Sequence, residues 1–235
     1  AACTVQPSSF DSYNGGDGFV GSPWQPLADY SAGTYVDIPF QTLVQPPSGL
    51  AYTASFRSQN TAVTLANGRG LVASNGTAEL YDAGSNTFSA TGSMIVARSS
   101  ATATRLDDGT VLFTGGSPNA GGAYLNSAEL YHPDTGLFEL LPGTMIVSRI
   151  NHTATKLSCP TANPACSWNG KVLIAGGYSY NGTASSPATA LELYDPIAKS
   201  FSSIGSLSAA RYLHSALQLQ CPAGNPGCGS DSTVL

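Results

Sequence analysis

A short motif recurs three times along the chain and limits the folds open to it. The letters ELYD occupy residues 79–82, ELYH residues 129–132 and ELYD residues 192–195, so the copies are 50 and 63 residues apart. Intervals of this size are typical of folds that stack one supersecondary unit per repeat. The sequence therefore predicts a repeat architecture.

Further markers keep the same register in each copy. A phenylalanine follows each glutamate by nine residues, and an arginine follows it by 19 or 20 residues. An alternating stretch and a short apolar run come next, ending in Gly115-Gly116 or Gly176-Gly177. Alternation predicts half-buried strands, and paired glycines let two backbones approach closely. The repeated charged markers are Glu79, Glu129, Glu192, Arg98, Arg149 and Arg211.

This set of markers resembles the kelch repeat, whose blade carries an apolar run, a double glycine, a tyrosine and a tryptophan. Phenylalanine replaces that tryptophan in all three copies here. An earlier, degenerate copy starts at Ser55, with Ala73-Ser74 in place of the double glycine. The resemblance implies an all-β fold, a kelch-type β-propeller arc of four-stranded blades. The predicted blades are residues 55–94, 95–145 and 146–207, with a partial blade at 208–235.

The chain divides into two parts by these markers. Residues 1–54 lack them and are broken up by prolines and glycines, so we predict a β-rich N-terminal extension or linker. Residues 55–235 are predicted to hold the blades. An open arc leaves two blade faces uncovered. We therefore expect that the arc is part of a longer protein or that copies of itself complete a ring or filament.

Four of the five cysteines form two copies of one pattern, Cys159 with Cys166 and Cys221 with Cys228. Each pair has six residues between its members, and the simplest prediction is a local disulfide in each loop. Zinc and redox sites favour closer spacing and are weaker alternatives. Because disulfides persist in oxidising compartments, the chain is predicted to be secreted, either extracellular or at the cell surface.

Composition argues against two classes of partner. Charged residues make up 10% of the chain, the net charge is −5, and lysine and arginine do not cluster. Nothing is therefore available to neutralise a phosphate backbone, and nucleic acid is a poor candidate. Every apolar run is also far shorter than the roughly 18 residues that a membrane span requires.

The repeated residues are interpreted as structural rather than catalytic. Marker glutamates and arginines recur once per blade, so hydrogen bonds or ion pairs within each blade are expected. His152 and His214 each follow a marker arginine by three residues and are interpreted in the same way. A metal site between them is a weaker alternative, because no third ligand is evident. We predict no enzyme activity and no cofactor.

The resemblance also suggests an enzyme as the alternative, because galactose oxidase and its relatives carry a kelch propeller. A fragment of such a copper radical oxidase would need copper-binding residues and a tyrosine crosslinked to cysteine, whereas the loop cysteines are better explained as disulfides. The main prediction is a non-catalytic extracellular propeller that binds a protein or glycan partner or assembles with its own copies, and the polar loop 178–188 is a candidate binding region. Asn75, Asn151 and Asn181 are candidate glycosylation sites.

Overall fold

The structure is a computed structural model that describes residues 59–118, 123–159, 167–180 and 182–218, together with the backbone of 19–20 and 25–26. The chain divides into two compact units, Ala1–Ile38 and Pro39–Leu235. In the first unit, β1 (Phe19–Val20) pairs antiparallel with β2 (Gln25–Pro26). The predicted boundary after residue 54 lies outside the described residues and stays a prediction.

Three four-stranded antiparallel sheets follow one another in the second unit. In each sheet the four strands lie side by side in the order in which the chain forms them. Sheet I contains β3 (Thr61–Thr64), β4 (Gly70–Ser74), β5 (Thr77–Asp82) and β6 (Thr87–Ala90). Sheet II contains β7 (Thr102–Arg105), β8 (Val111–Thr114), β9 (Ala128–His132) and β10 (Leu137–Leu140). Sheet III contains β12 (Thr153–Lys156), β13 (Val172–Ala175), β16 (Ala190–Asp195) and β17 (Ser200–Ser206).

A fourth, three-stranded sheet has the order β11-β14-β15 and is called the platform sheet below. It contains β11 (Arg149–Ile150), β14 (Tyr178–Tyr180) and β15 (Ser185–Pro187). The last two strands form a hairpin within the loop between β13 and β16. The part of the chain that the structure describes contains no helix, and hence no helix long and apolar enough to cross a membrane.

The first strands of the three large sheets, β3, β7 and β12, lie side by side. Arg105 Nη1 donates a hydrogen bond of 3.2 Å to Thr64 O, and Thr104 Oγ1 donates one of 3.2 Å to Ala154 O. The sheets are therefore arranged around their first strands, as blades are around a propeller axis. The all-β fold is a partial β-propeller, as predicted.

The hydrophobic core lies between consecutive sheets. All four residues of β8 are buried, because sheet II is covered on both faces. Val111 and Phe113 face the core shared with sheet I, and Leu112 faces the core shared with sheet III. This alternation follows from the two-residue period of a strand.

The predicted aromatic pairs lie opposite each other on the third and fourth strands of each sheet. Ring centroids are 5.0 Å apart for Tyr81 and Phe88. They are 4.9 Å apart for Tyr131 with Phe138 and for Tyr194 with Phe201. Phenylalanine therefore serves as the apolar cross-strand partner at the position that tryptophan holds in the kelch repeat.

The register of sheet I corrects one prediction. Gly70 lies opposite Tyr81 as Val111 lies opposite Tyr131, so the residues equivalent to Gly115-Gly116 are Ser74-Asn75. Ala73-Ser74 was therefore wrong by one residue. The glycine signal is missing because Asn75 itself adopts a positive φ of 49°, which asparagine tolerates better than most residues.

A chain of backbone hydrogen bonds joins the starts of successive sheets. Ser100 N donates to Gln59 O at 3.1 Å, Asn151 N to Ser100 O at 3.2 Å, and Leu213 N to Asn151 O at 3.0 Å. Each of these four residues has a φ between 52° and 55°. We call this set the axial ladder. It repeats one uncommon backbone conformation once per blade.

Candidate binding site at the double-glycine edge

The double glycines follow β8 and β13 and define one edge of the sheets. Thr102 at the start of β7 pairs with Thr114, and Thr153 at the start of β12 pairs with Ala175. The segment that leads into each sheet and the loop after each second strand therefore meet at this double-glycine edge. The marker arginines, the double glycines, the two histidines and the tyrosines described below lie there, whereas Cys159 lies in the loop at the other end of β12.

In sheet II, the marker residues Arg98 and Glu129 form a buried ion pair. Arg98 Nη2 lies 2.9 Å from Glu129 Oε1, and Arg98 Nη1 donates to the carbonyl oxygens of Gly115 at 3.0 Å and Ser127 at 2.8 Å. Glu129 also accepts hydrogen bonds from the backbone amides of residues 95 and 96 at 2.8 and 3.0 Å. The pair thus fixes three loop segments of one sheet.

Sheet III repeats this arrangement with Arg149 and Glu192. Arg149 Nη2 lies 2.5 Å from Glu192 Oε1, and Arg149 Nη1 donates to Gly176 O at 2.7 Å. Burial lowers the pKa of both Arg98 and Arg149, and the adjacent carboxylate offsets part of that shift. Because these groups are buried and saturated by each other and by the backbone, they are placed to support the fold.

The remaining markers differ in exposure. Glu79 is buried in sheet I. Arg211 is exposed, and its Nε donates to Ala209 O at 3.4 Å.

The double glycines join neighbouring sheets through the backbone. Gly116 N donates to Arg149 O at 2.9 Å, and Gly177 N donates to Arg211 O at 2.8 Å. All four glycines have positive φ, from 60° to 96°, so this path favours residues without a Cβ.

His152 connects sheet III to sheet II. Its Nε2 lies 2.9 Å from Thr114 Oγ1 and 3.1 Å from Thr102 Oγ1. Burial, followed by the charge of Arg149, lowers the pKa of His152 to about 3, so the ring is neutral at neutral pH. His214 repeats the contact, with Nε2 3.1 Å from Thr153 Oγ1, and burial lowers its pKa too. Among the described residues, His, Cys, Asp and Glu side chains form no metal-binding group of three.

The predicted disulfide and glycosylation sites are only partly described. Cys159 is disulfide-bonded, whereas Cys166, Cys221 and Cys228 lie outside the described residues, so the predicted pairings stay predictions. Asn75 is exposed at the tip of the hairpin between β4 and β5, and Asn151 is half-buried in the axial ladder. Asn181 lies outside the described residues.

Four tyrosines from three loops cluster at the double-glycine edge. The ring centroids of Tyr178 and Tyr212 are 4.9 Å apart. Those of Tyr124 lie 6.4 Å from Tyr178 and 6.3 Å from Tyr180. Tyr180 and Tyr212 are exposed, and the other two are half-buried. We call these four residues the tyrosine platform.

The tyrosine platform is not part of the repeat. Ser99 and Ser117 form the isolated bridge of sheet II, and the equivalent pair in the next repeat is Ile150 with Tyr178. Tyr212, which follows Arg211, is equivalent to Ser99. Aromatic rings therefore replace small side chains where the repeat does not require them. The sequence prediction identified the loop 178–188 but missed Tyr124 and Tyr212; comparing the residue after each marker arginine would have found Tyr212.

Comparisons with known proteins support the fold alone. No family model matches the chain, and no curated protein matches it. Among solved structures, the chain is similar to the propeller protein YjhT, with a TM-score of 0.54 and 17% sequence identity. The match covers 68% of this chain and 54% of that one, so the chain spans about half the length of YjhT. The fold therefore places the chain among β-propellers.

Proposed function

We propose that the chain is a non-catalytic, extracellular propeller segment of the kelch type that acts as a binding scaffold. The observation that carries the proposal is the tyrosine platform, four aromatic rings that the repeat does not need. Aromatic side chains on a rigid support supply a large contact area at a low cost in conformational entropy. The partner in this proposal is a protein or a glycan at the cell surface or outside the cell.

Two features support a scaffold rather than an enzyme. The marker arginines and glutamates of sheets II and III are engaged in buried ion pairs, and His152 and His214 face threonine hydroxyls. The groups most suited to acid–base chemistry therefore serve the blades. No feature of the described residues specifically favours the alternative function, a fragment of a copper radical oxidase.

The predicted disulfides belong to the same proposal. Cys159 is disulfide-bonded, which suits an oxidising compartment. Assembly of copies through the blade faces remains a further prediction, tested by measuring the mass of the particle in solution.

Binding to cell-surface and extracellular material from the source organism tests the proposal. The full chain is expected to bind this material, and Tyr178→Ser with Tyr212→Ser is expected to abolish binding. These serines occupy equivalent positions in sheet II, so the variant keeps a side chain that the repeat already accommodates. Ile197→Ser is the control, because Ile197 is an exposed turn residue outside the platform. Equal binding by the tyrosine variant, or hydrogen peroxide release from galactose after loading with copper, would refute the proposal.

A further inference from the structure

We propose that the tyrosine platform binds the apolar face of a neutral carbohydrate chain. This inference rests on the proposed function and names the class of its ligand. A pyranose ring carries C–H groups on its faces and hydroxyls on its rim. The electron-rich face of an aromatic ring attracts such weakly positive C–H groups.

The rings form one connected surface. Tyr212 contacts Tyr178, and Tyr124 lies beside both Tyr178 and Tyr180. The planes of each contacting pair are inclined by 56° to 71°, so the rings do not stack on one another. A cluster of inclined rings presents several separate aromatic surfaces, as a chain of sugar units requires.

The platform is held in place before a ligand arrives. Tyr178 and Tyr180 are two residues apart on β14 and therefore point to the same face of the platform sheet. β14 is the central strand, paired with β11 on one side and β15 on the other. Ser148 Oγ donates to Tyr180 O at 3.3 Å, and Tyr180 Oη donates to Gly182 O at 2.8 Å. Preorganised rings lose little freedom on binding.

The loops that carry three of the four rings are uncharged. Residues 115–128 and 176–189 contain no aspartate, glutamate, lysine or arginine and are rich in serine, threonine, asparagine and glycine. Hydroxyl and amide groups suit the rim of a neutral sugar. The charged neighbour in sequence is Arg211, which precedes Tyr212 and whose Nε is directed to Ala209 O.

Surface chemistry favours a sugar over a protein partner. Tyr180 is 39% exposed and Tyr212 is 45% exposed, and the loop that carries Tyr180 is rich in hydroxyl groups, while the exposed Leu213 lies next to Tyr212 in the chain. Protein interfaces of standard size need a buried apolar centre within about 800 Å² on each partner. Four partly exposed rings among serines match the smaller footprint of a few sugar units.

Calorimetric titration of the full chain with defined probes tests the inference. The neutral probes are cellohexaose, xylohexaose, mannohexaose and maltohexaose; hexagalacturonate is the acidic probe and decaproline the peptide probe. We expect at least one neutral hexasaccharide to bind. Tyr178→Ser with Tyr212→Ser should weaken that binding by about tenfold or more, the effect expected from losing aromatic stacking. Tyr178→Phe with Tyr212→Phe keeps the rings and should change the affinity by less than about threefold.

The outcomes separate the inference from the proposed function. Binding of hexagalacturonate or decaproline alone, lost in the serine variant, would leave the binding scaffold in place and overturn the neutral carbohydrate. Binding of a neutral probe that the serine variant retains would show that the sugar lies elsewhere and would overturn the platform. Absence of binding to every neutral probe would overturn the inference, while the cell-surface experiment decides the scaffold independently.

Discussion

The carbonyl oxygen of Arg149 lies 2.4 Å from the position that a Cβ atom on Gly115 would occupy. The two residues belong to neighbouring sheets, and the backbone of one runs directly across the other. The same relationship recurs between Gly176 and Arg211, at 2.5 Å. A side chain at either glycine would have to displace backbone, which cannot move without separating the sheets.

Gly115→Ala is therefore expected to destabilise the chain by at least about 3 kcal/mol, because backbone overlap adds to the cost of a positive φ. Gly68→Ala is the matched control, since Gly68 has a φ of 82° and no atom within 4 Å of a new Cβ. That control should lose about 1–2 kcal/mol from conformation alone. Urea unfolding measures both values. Equal losses would show that the close approach of the sheets is unimportant.

Glu129→Gln tests the buried ion pair. The substitution keeps the shape of the side chain but leaves the Arg98 guanidinium buried without a counter-charge, so we expect a loss of about 3–5 kcal/mol in unfolding free energy. Glu139→Gln is the control, because Glu139 contacts Lys199 Nζ at 2.8 Å at the surface. A surface pair contributes at most about 1 kcal/mol. Similar losses for the two variants would contradict the structural role of the buried pair.

His152 predicts how stability depends on pH. Its folded pKa of about 3 lies below the ordinary value of 6.5, so the unfolded chain binds the proton more readily. The contribution of neutral His152 to the free energy of unfolding is therefore fully present above pH 6.5. It is lost as the pH falls toward 3, by on the order of 1.4 kcal/mol per pH unit. His214 acts in the same direction.

Unfolding free energies between pH 6.5 and 4.5 measure this dependence. His152→Ala should reduce the slope of unfolding free energy against pH, because it removes the titrating group. Ala101 already occupies the equivalent position in sheet II, so alanine is a side chain that the repeat accommodates. His132→Ala, which removes a histidine hydrogen-bonded to Glu139 near the surface, is the comparison. A slope unchanged in His152→Ala would mean that other groups control the acid response.

Two equivalent tyrosines should respond differently to loss of the hydroxyl. Tyr131 Oη lies 2.8 Å from Thr91 Oγ1. One repeat later Leu141 and Pro142, which carry no hydroxyl, take the place of Thr91, and within the described residues the buried hydroxyl of Tyr194 has no hydrogen-bond partner. Burial raises the pKa of Tyr194 to about 12, so this hydroxyl stays protonated.

We expect Tyr131→Phe to cost about 1 kcal/mol and Tyr194→Phe to be neutral or stabilising. Thermal unfolding of the two single variants, side by side, gives the comparison. A larger loss at Tyr194 than at Tyr131 would reverse the expected order.

The blades were predictable because their markers depend on residue type. A tyrosine facing a phenylalanine, a buried glutamate and a double glycine each leave a recognisable residue type in the same order in successive repeats. Sheet I was placed one residue out of register at the double-glycine position because Asn75 supplies the positive φ without being glycine. Asn75 and Gly76 both have positive φ in the two-residue turn of the hairpin between β4 and β5, and Asn75 N also donates a hydrogen bond to Arg98 O, a contact that the sequence does not reveal.

The candidate site was harder to predict, because its members come from separate loops. Tyr178 and Tyr180 lie in the polar loop that the sequence singled out, whereas Tyr124 belongs to the preceding sheet and Tyr212 follows β17. Their meeting depends on the angle between neighbouring sheets. Tyrosine is also common in strands, so the presence of a tyrosine at any of these four positions does not by itself indicate a binding site.

The axial ladder has a consequence for how this chain can change over time. Its joints are made by peptide groups, which every residue carries, and the positions have accepted glutamine, serine, asparagine and leucine. The way in which successive sheets are joined at the ladder thus depends on backbone hydrogen bonds and little on which side chains these positions carry. Loops beside the ladder can therefore carry different side chains, serines in one repeat and the rings of the tyrosine platform in the next, on the same backbone frame.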